Sequence, residues 1–283
     1  MRPILKSPRV LRTGSPLALS AIAQVCPAVF AKGPHEDRGP RYRYVPTIRP
    51  LETLLENGWG VYEASQQQAL KVPSKNGFTK HMLRLRKLGD FDAKPNVGDG
   101  VPEVILINAH DGTSAYHLKA GYFRFVCSNG MMVGTSIAGF KVYHSVNRQT
   151  SQEVLEAGER LVTESFPAMI QHIDRFKRIL VNTERQYQFA QRGMDLRYPG
   201  VLAPFPASDL LTVRREDDRE PSLWNILNRV QESVMYGGWT VKGQMSSRTS
   251  MVRPIERVSA VTAINTGLWD AAEALAEEIE NED

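Results

Sequence analysis

The fold is decided by the stretch Thr79–Leu88, which reads TKHMLRLRKL. One face of this stretch carries His81, Leu83 and Leu85, and the other carries Lys80, Met82, Arg84 and Arg86. A period of two residues is typical of a β-strand, because successive side chains point to opposite sides of the sheet. The stretch therefore predicts a half-buried strand with a basic outer face.

Further strand and turn signals follow within residues 79–145. The β-branched run Val104–Ile107 predicts a buried strand, and Asp111-Gly112 and Asn129-Gly130 are dipeptides typical of tight hairpin turns. Residues 114–127 read as a long strand between these turns, and alternation returns at residues 140–144. Neighbouring strands joined by such turns favour an antiparallel sheet over residues 79–145.

After residue 150 the apolar residues recur every three or four positions, which is typical of α-helices. Ser222 is a candidate N-cap, and Gly193 and Gly237-Gly238 are candidate helix stops. We therefore predict an α+β fold in which an antiparallel sheet, about residues 79–145, packs against C-terminal helices. Residues 1–49 are predicted to form a basic arm with a short helix. Residues 50–283 are predicted to form a single α+β domain, β-rich over 60–145 and helical over 150–283.

The composition excludes several classes of protein. The hydrophobic fraction is 42%, and no apolar run approaches the roughly 18 residues that a membrane helix needs. The two cysteines, Cys26 and Cys127, form neither a disulfide framework nor a zinc pattern, which favours a reducing compartment. The basic start and the apolar stretch Leu17–Val25 imitate a signal peptide, but polar interruptions favour a short docked helix instead. We predict a cytoplasmic protein that carries no cofactor.

Charge is polarised along the chain. The net charge is +4, yet residues 1–49 carry nine Lys or Arg against two acids, and residues 270–283 carry seven acids and no base. A basic arm attracts nucleic acid or another polyanion, whereas an acidic terminus is usually just solvated.

The strongest functional pattern combines cations with aromatic residues. Backbone neutralisation by Lys and Arg, with bases stacked on aromatic rings, is how single strands are held without base readout. A solvated sheet face with half-buried tyrosines is the structural alternative. The candidate nucleic-acid-binding residues are Lys80, Arg84, Arg86, Arg124, Tyr42, Arg43, Tyr44 and Arg248.

Two other polar groups are candidates for chemistry. The first is a possible functional loop with His110, Asp111 and Asn129. Asp111 and the histidines of the β unit could hold a metal, but hydrogen-bonded histidines explain them as well, and we predict no metal; these histidines are His81, His110, His117 and His144. The second is a polar cluster near the third helical region, where carboxylates and amides could form a cation or general-acid site, or could simply be helix-terminus residues. Its members are Arg214, Asp217, Asn228, Gln231 and Glu232. Cys127 is expected to pack as a small hydrophobic residue.

Several blocks of the sequence resemble a known family. They are residues 41–47 (RYRYVPT), 77–86 (GFTKHMLRLR), 110–131 (HDGTS to CSNGM) and 223–238 (LWN, NRVQE and GG). These blocks resemble the phage- and plasmid-borne proteins grouped as domain-of-unknown-function family 932, over roughly residues 18–275. The resemblance implies a cytoplasmic protein encoded by a mobile element, and it weighs against a signal peptide. It implies no activity and no catalytic residues.

The leading hypothesis is a nucleic-acid-binding accessory of phage or plasmid DNA processing or recombination, with single-stranded DNA as the expected ligand. The first alternative is an interaction protein that inhibits a host defence factor, so that a host protein would be its partner. The second is a metal-dependent nuclease, although a binding protein is favoured over an enzyme. No membrane partner is expected, and homo-oligomers are allowed by the sequence.

Overall fold

The computed structural model of the protein describes residues 9–88, 100–124, 129–132, 140–142, 156–238, 240–242 and 249–282. The chain divides into two compact units. The first comprises Met1–Phe123, Ala138–Phe166 and Glu256–Val258, and the second comprises Arg124–Ile137, Pro167–Ile255 and Ser259–Asp283. Among the described residues, no helix has the length and apolar character needed to cross a membrane.

Seven of the described strands and the first two helices precede residue 143. The helices are α1 (Leu19–Val25) and α2 (Ile48–Glu56), and short 3-10 turns cover Pro27–Phe30 and Pro73–Gly77. The strands are β1 (Arg9–Arg12), β2 (Trp59–Gln66), β3 (His81–Lys87), β4 (Gly100–Asn108), β5 (Tyr116–Arg124), β6 (Asn129–Met132, in the second unit) and β7 (Phe140–Val142).

The strands of the first unit form a sheet in the order β1-β2-β3-β4-β5, and β7 pairs antiparallel with β5. The β1–β2, β2–β3 and β3–β4 pairs are antiparallel as well, with Leu83 opposite Leu106 and Leu85 opposite Val104. The predicted α+β class with an antiparallel sheet is confirmed. The sheet extends beyond residues 79–145: β2 lies at the start of the predicted β-rich region, and β1 precedes that region.

Both faces of β3 are covered. Every residue from His81 to Arg86 is buried, including the two arginines of the face that was predicted to be solvated. The prediction of a half-buried strand with an exposed basic face is therefore wrong. Alternation identifies two faces of a strand, but it does not say whether water reaches either of them.

Residues 9–49 contribute to the core of the first unit. β1 pairs with β2, and the predicted short helix is present as α1, which buries Ile22 completely. Cys26 follows α1, is fully buried and is free; burial raises the pKa of its thiol far above the usual range, so it stays protonated. Cys127 lies outside the described residues.

The second unit is mainly helical. The last residues of the first unit are already helical from residue 156 and include a π-helical turn, Leu161–Ser165; α3 (Phe166–Arg178) follows directly. Then follow α4 (Thr183–Arg197), α5 (Leu223–Tyr236), the short strands β8 (Thr240–Lys242) and β9 (Thr249–Met251), and α6 (Val258–Glu280). The predicted cap is confirmed, since the Ser222 hydroxyl accepts from the Asn225 amide at 3.3 Å, and α5 ends at Gly237 with φ +62°.

Gly193 does not stop a helix, contrary to the prediction. It lies inside α4, which continues to Arg197, and it is buried. A Cβ at this position would lie 2.5 Å from Cγ1 of Val230 on α5 and 3.4 Å from Cγ2 of Val234. Gly193 is therefore a packing residue, because only a hydrogen atom fits where α4 crosses α5.

Gly193→Ala is expected to lower the free energy of unfolding by about 1–3 kcal/mol, the usual cost of overpacking a core, although alanine is the better helix former. Urea denaturation followed by circular dichroism measures this. Gly77→Ala is the control, because a Cβ at Gly77 would meet nothing within 4 Å. Equal unfolding midpoints for the two variants would show that the α4–α5 crossing has room to relax.

Candidate nucleic-acid interface

The loop that follows β4 begins at His110-Asp111-Gly112 in the first unit. The His110 amide donates to the carbonyl of Phe78 at 2.8 Å, which ties the loop to the segment before β3. One carboxylate oxygen of Asp111 accepts from the Thr113 amide at 3.1 Å and from its hydroxyl at 2.6 Å. Gly112 has φ +80°, a left-handed conformation that glycine adopts readily. The tight hairpin predicted at Asp111-Gly112 is instead a longer connection, residues 109–115, between β4 and β5. Its local hydrogen bonds need no catalytic explanation.

A buried hydrogen-bond network joins His81 and His110 through Thr47. The Thr47 hydroxyl oxygen lies 2.8 Å from Nε2 of His81 and 3.3 Å from Nε2 of His110. It also accepts from the side-chain amide of Asn108 at 3.0 Å. Nδ1 of His81 lies 3.0 Å from the carbonyl oxygen of Thr79. These distances connect the residue before α2 with β3, β4 and the loop after β4.

The network assigns both imidazole tautomers. A carbonyl oxygen only accepts, so the proton of His81 is on Nδ1 and its Nε2 accepts from the Thr47 hydroxyl. That hydroxyl has one proton, so Nε2 of His110 must donate to Thr47. Burial lowers the pKa of His81 to about 4, outweighing the hydrogen bond to Thr79. His81 is therefore a neutral, hydrogen-bonded core residue, as predicted.

A short segment from His35 to Arg38 lies against the same loop. The His35 amide donates to the His110 carbonyl at 3.0 Å, and the Arg38 guanidinium covers Gly112. Asp37 forms ion pairs with Arg38 at 2.8 Å and with Lys75 at 2.5 Å. These cations hold the pKa of the Asp37 carboxyl far below its usual range.

Arginine and tyrosine alternate in the next residues. Arg41 and Arg43 are exposed, whereas Tyr42 and Tyr44 are half-buried. The Tyr42 hydroxyl donates to the carbonyl of Ala109 at 3.0 Å, and the Tyr44 hydroxyl donates to the carbonyl of Ala31. Burial and the nearby charge of Asp111 raise the pKa of Tyr42 to about 12. Both phenols are thus anchored by their hydroxyl groups beside outward-pointing guanidinium groups.

Lys80 completes the cationic residues around this loop. It is partly buried, and burial lowers the pKa of its amine while the charge of Asp111 opposes that shift. Asp37 pairs with two neighbouring cations, Arg38 and Lys75. We call this set the Arg–Tyr surface and define it as Arg38, Arg41, Tyr42, Arg43, Tyr44, Lys75 and Lys80.

Comparison with known sequences places the chain in a family. The model of the family described as "Domain of unknown function (DUF932)" matches residues 34–269. The chain belongs to the DUF932 family. It is 32% identical over 271 residues to each of two Escherichia coli K12 proteins, the UPF0380 proteins YafZ and YfjQ, with 96% of the chain and 96% of each relative covered. No solved structure gives a significant match. The resemblance inferred from the sequence blocks is confirmed.

In this DUF932 chain, Arg84 and Arg86 do not belong to the Arg–Tyr surface. Each is about 1% exposed, and their Nε atoms donate to opposite oxygens of the fully buried Glu103 at 2.5 Å and 2.6 Å. The Arg86 guanidinium also lies over the Phe123 ring, 3.5 Å from its centroid, and over Tyr62 at 4.7 Å. Their assignment to an exposed phosphate-binding face is therefore wrong, because their guanidinium groups are buried and already contact a carboxylate and aromatic rings.

Three further predicted residues are not assigned to the Arg–Tyr surface. Arg124 is 4% exposed and donates from Nη1 to Asp218 at 2.6 Å. Arg248 lies outside the described residues. Asn129 begins β6, and its side chain is also outside the described residues, so the grouping of Asn129 with His110 and Asp111 stays a prediction.

The polar cluster of the second unit is only partly assembled. Glu232 accepts from both terminal nitrogens of Arg215, one at 2.8 Å, and Nη1 of Arg214 is 3.9 Å from it. Gln231 donates to the side chain of Asn265 at 2.7 Å. Two members lie apart: Asn228 donates to the Trp224 carbonyl at 2.7 Å, and Asp217 is exposed. Within the described parts of the chain, no three His, Cys, Asp or Glu side chains are grouped so that they could hold a metal ion.

Sequence reasoning missed three residues that organise these regions. Glu103 was overlooked although it pairs across the strands with a basic position, and a lone carboxylate beside a β-branched run is the signal that could have found it. Thr47 and Arg38 contact residues that are distant in the chain, so the sequence around them gives no sign of their roles.

Proposed function

We propose that this protein binds single-stranded nucleic acid, with DNA as the expected ligand, through the Arg–Tyr surface. The observation that carries the proposal is the alternation of exposed Arg41 and Arg43 with the half-buried, hydroxyl-anchored Tyr42 and Tyr44. Guanidinium groups neutralise phosphates, and tyrosine rings held in place offer stacking platforms at little entropic cost.

The proposal moves the contact surface away from β3. A phosphate cannot reach Arg84 or Arg86 without displacing Glu103, and that exchange would leave a buried carboxylate unpaired. Lys80, one residue before β3, keeps partial exposure and is retained. With the mobile-element context implied by the resemblance, we propose a cytoplasmic accessory of phage or plasmid DNA processing.

The test is a salt titration of binding to a fluorescent oligothymidylate, followed by anisotropy. Affinity is expected to fall steeply with salt, and Arg41→Ala combined with Arg43→Ala should reduce the salt slope by about 1.4, since each phosphate contact to a single strand contributes roughly 0.7. Tyr42→Leu should weaken binding by about 1–3 kcal/mol per lost stacking contact while leaving the core filled.

Arg178→Ala is the matched control, because Arg178 is an exposed arginine on α3 and outside the Arg–Tyr surface. It should leave affinity and slope unchanged. Absence of binding at low salt would reject the proposal, and a pull-down from host lysate that survives nuclease treatment would then favour the alternative of an interaction protein. Equal losses in the double variant and the control would move the contact surface elsewhere.

A further inference from the structure

A cleft of about 720 Å³ lies in the second unit between α4 and α6. Its base includes Phe189 and Leu275, which are almost fully buried. The α6 wall is built from small residues, among them Gly267, Ala271 and Ala274. At Gly267 the two helices come close, because a Cβ there would lie 2.7 Å from Cδ2 of Leu196. The cleft therefore has an apolar base, and the small side chains on its α6 side leave room for a helix.

The α4 wall of this cleft has a regular polar face. Arg185, Gln188, Arg192 and Asp195 all line it, and they are spaced by three, four and three residues. That spacing places them on one side of α4, in the pattern by which a helix meets an antiparallel partner. The face starts with a cation and ends with an anion.

This order of charges is complementary to itself. If a second α4 lies antiparallel to the first, with position 190 at the midpoint, Arg185 faces Asp195 of the second copy and Gln188 faces Arg192 of the second copy. Because the dimer has a two-fold axis, each of these pairs occurs twice in the interface. Arg185 already donates to Glu282 at 2.5 Å, but a guanidinium has five N–H donors and can make both contacts.

We propose that the cleft is occupied by α4 of a second copy of this chain, giving a symmetric homodimer. Each α4 lies in the other copy's cleft, against the small residues of its α6. Tyr187 lines the cleft and is 50% exposed, so it supplies apolar area that the second copy covers. The inference is independent of nucleic-acid binding, because every residue that it uses is in the second unit.

Sedimentation of the full-length protein over a range of concentrations tests the proposal. Wild type is expected to dimerise reversibly. Arg185→Glu places like charges opposite each other at two symmetric points, so the dimer dissociation constant should rise at least about tenfold, and Asp195→Arg should do the same. The double variant Arg185→Glu/Asp195→Arg restores opposite charges and should bring the constant back to within about threefold of wild type.

Arg178→Glu makes the same charge change on an exposed part of α3 and should leave dimerisation unchanged. Ala271→Trp fills the cleft without altering charge and should also weaken the dimer; circular dichroism checks that each variant is folded. A wild-type monomer at every concentration overturns the proposal. The proposal is also overturned if the dissociation constant of the double variant rises by as much as the effects of the two single variants added together. A third contrary result is a monomer whose cleft binds the dye anilinonaphthalene sulfonate, with binding lost in Ala271→Trp.

Discussion

Glu103→Ala is expected to lower the free energy of unfolding by about 3–5 kcal/mol, the usual consequence of removing one partner of a buried ion pair. Glu103 is fully buried, and each of its oxygens accepts from a different arginine, Arg84 at 2.5 Å and Arg86 at 2.6 Å. Without it, two guanidinium groups that water barely reaches would lose the carboxylate with which both form ion pairs. Since domains are stable by only about 5–15 kcal/mol, the loss should be obvious in urea denaturation.

Glu63→Ala is the comparison on β2, where Glu63 lies opposite Arg84 but forms its ion pair with Arg12. Glu63 accepts from Nε of Arg12 at 2.6 Å, but the Arg12 side chain is 32% exposed and can be rehydrated when the carboxylate is removed. The expected loss is therefore about 1 kcal/mol, as for other ion pairs that water reaches. Equal losses in the two variants would show that burial is not what makes Glu103 important.

Replacing the whole buried group separates charge from packing. Arg84→Met, Arg86→Leu and Glu103→Leu together remove all three charges while filling much of the same volume. Such replacements are often neutral or stabilising, so the triple variant should recover most of the stability lost in Glu103→Ala. A triple variant as unstable as the single one would indicate that the arginine stems and their ring contacts, including Phe123, carry the stability instead.

The second large effect is a loss of stability on acidification, caused by His81. Its pKa is about 4 in the folded protein, against 6.5 for an unperturbed histidine, because the ring is completely buried. Between these values the unfolded chain binds a proton and the folded chain does not, so acid favours unfolding. The contribution is fully present above pH 6.5 and is lost as the pH falls to about 4. At about 1.4 kcal/mol per pKa unit, it amounts to roughly 3 kcal/mol.

The measurement compares wild type and His81→Gln in urea at several pH values from 7 to 4. Glutamine keeps an acceptor for the Thr47 hydroxyl but does not titrate, so the variant should be less stable at pH 7 and lose less on acidification. Other titrating groups are common to both proteins and cancel in the difference. If the stability of the two proteins changed with pH in parallel, the His81 ring would have to take up its proton inside the folded protein. The hydrogen bond from the Thr47 hydroxyl argues against this, because Nε2 of His81 accepts that bond and so carries no proton.

Short sequence patterns were sufficient to predict several individual strands and helix ends. Alternation along residues 79–88 predicts β3, and Ser222 predicts the start of α5, because each depends on neighbours a few positions away. Asp-Gly predicts a chain reversal between β4 and β5, but the connection is longer than a tight hairpin. Gly193 shows the limit of this reasoning. Its neighbours favour a helix stop, but α5 crosses at that point and makes glycine a requirement of packing.

The candidate site was predicted less evenly. Tyr42, Arg43 and Tyr44 were identified from cations and aromatic residues in one segment, and their alternating exposure in the structure keeps them in the proposal. Arg41 was not among the predicted residues either, although it lies in the same segment. Arg38 and Lys75 were not identified, because they join the Arg–Tyr surface through Asp37 and not through a local motif.

The sequence by itself determined that the chain is an α+β protein of the DUF932 family and that arginines follow one face of β3. Only the tertiary structure decided what those arginines do. A period of two assigns Arg84 and Arg86 to the same side of a strand, but their exposure depends on what covers that side and on the partner across the sheet, Glu103. Whether a strand face is buried depends on packing between segments that are distant in the chain. The same alternating pattern can therefore belong to a solvent-exposed binding face or, as here, to a buried interior with ion pairs.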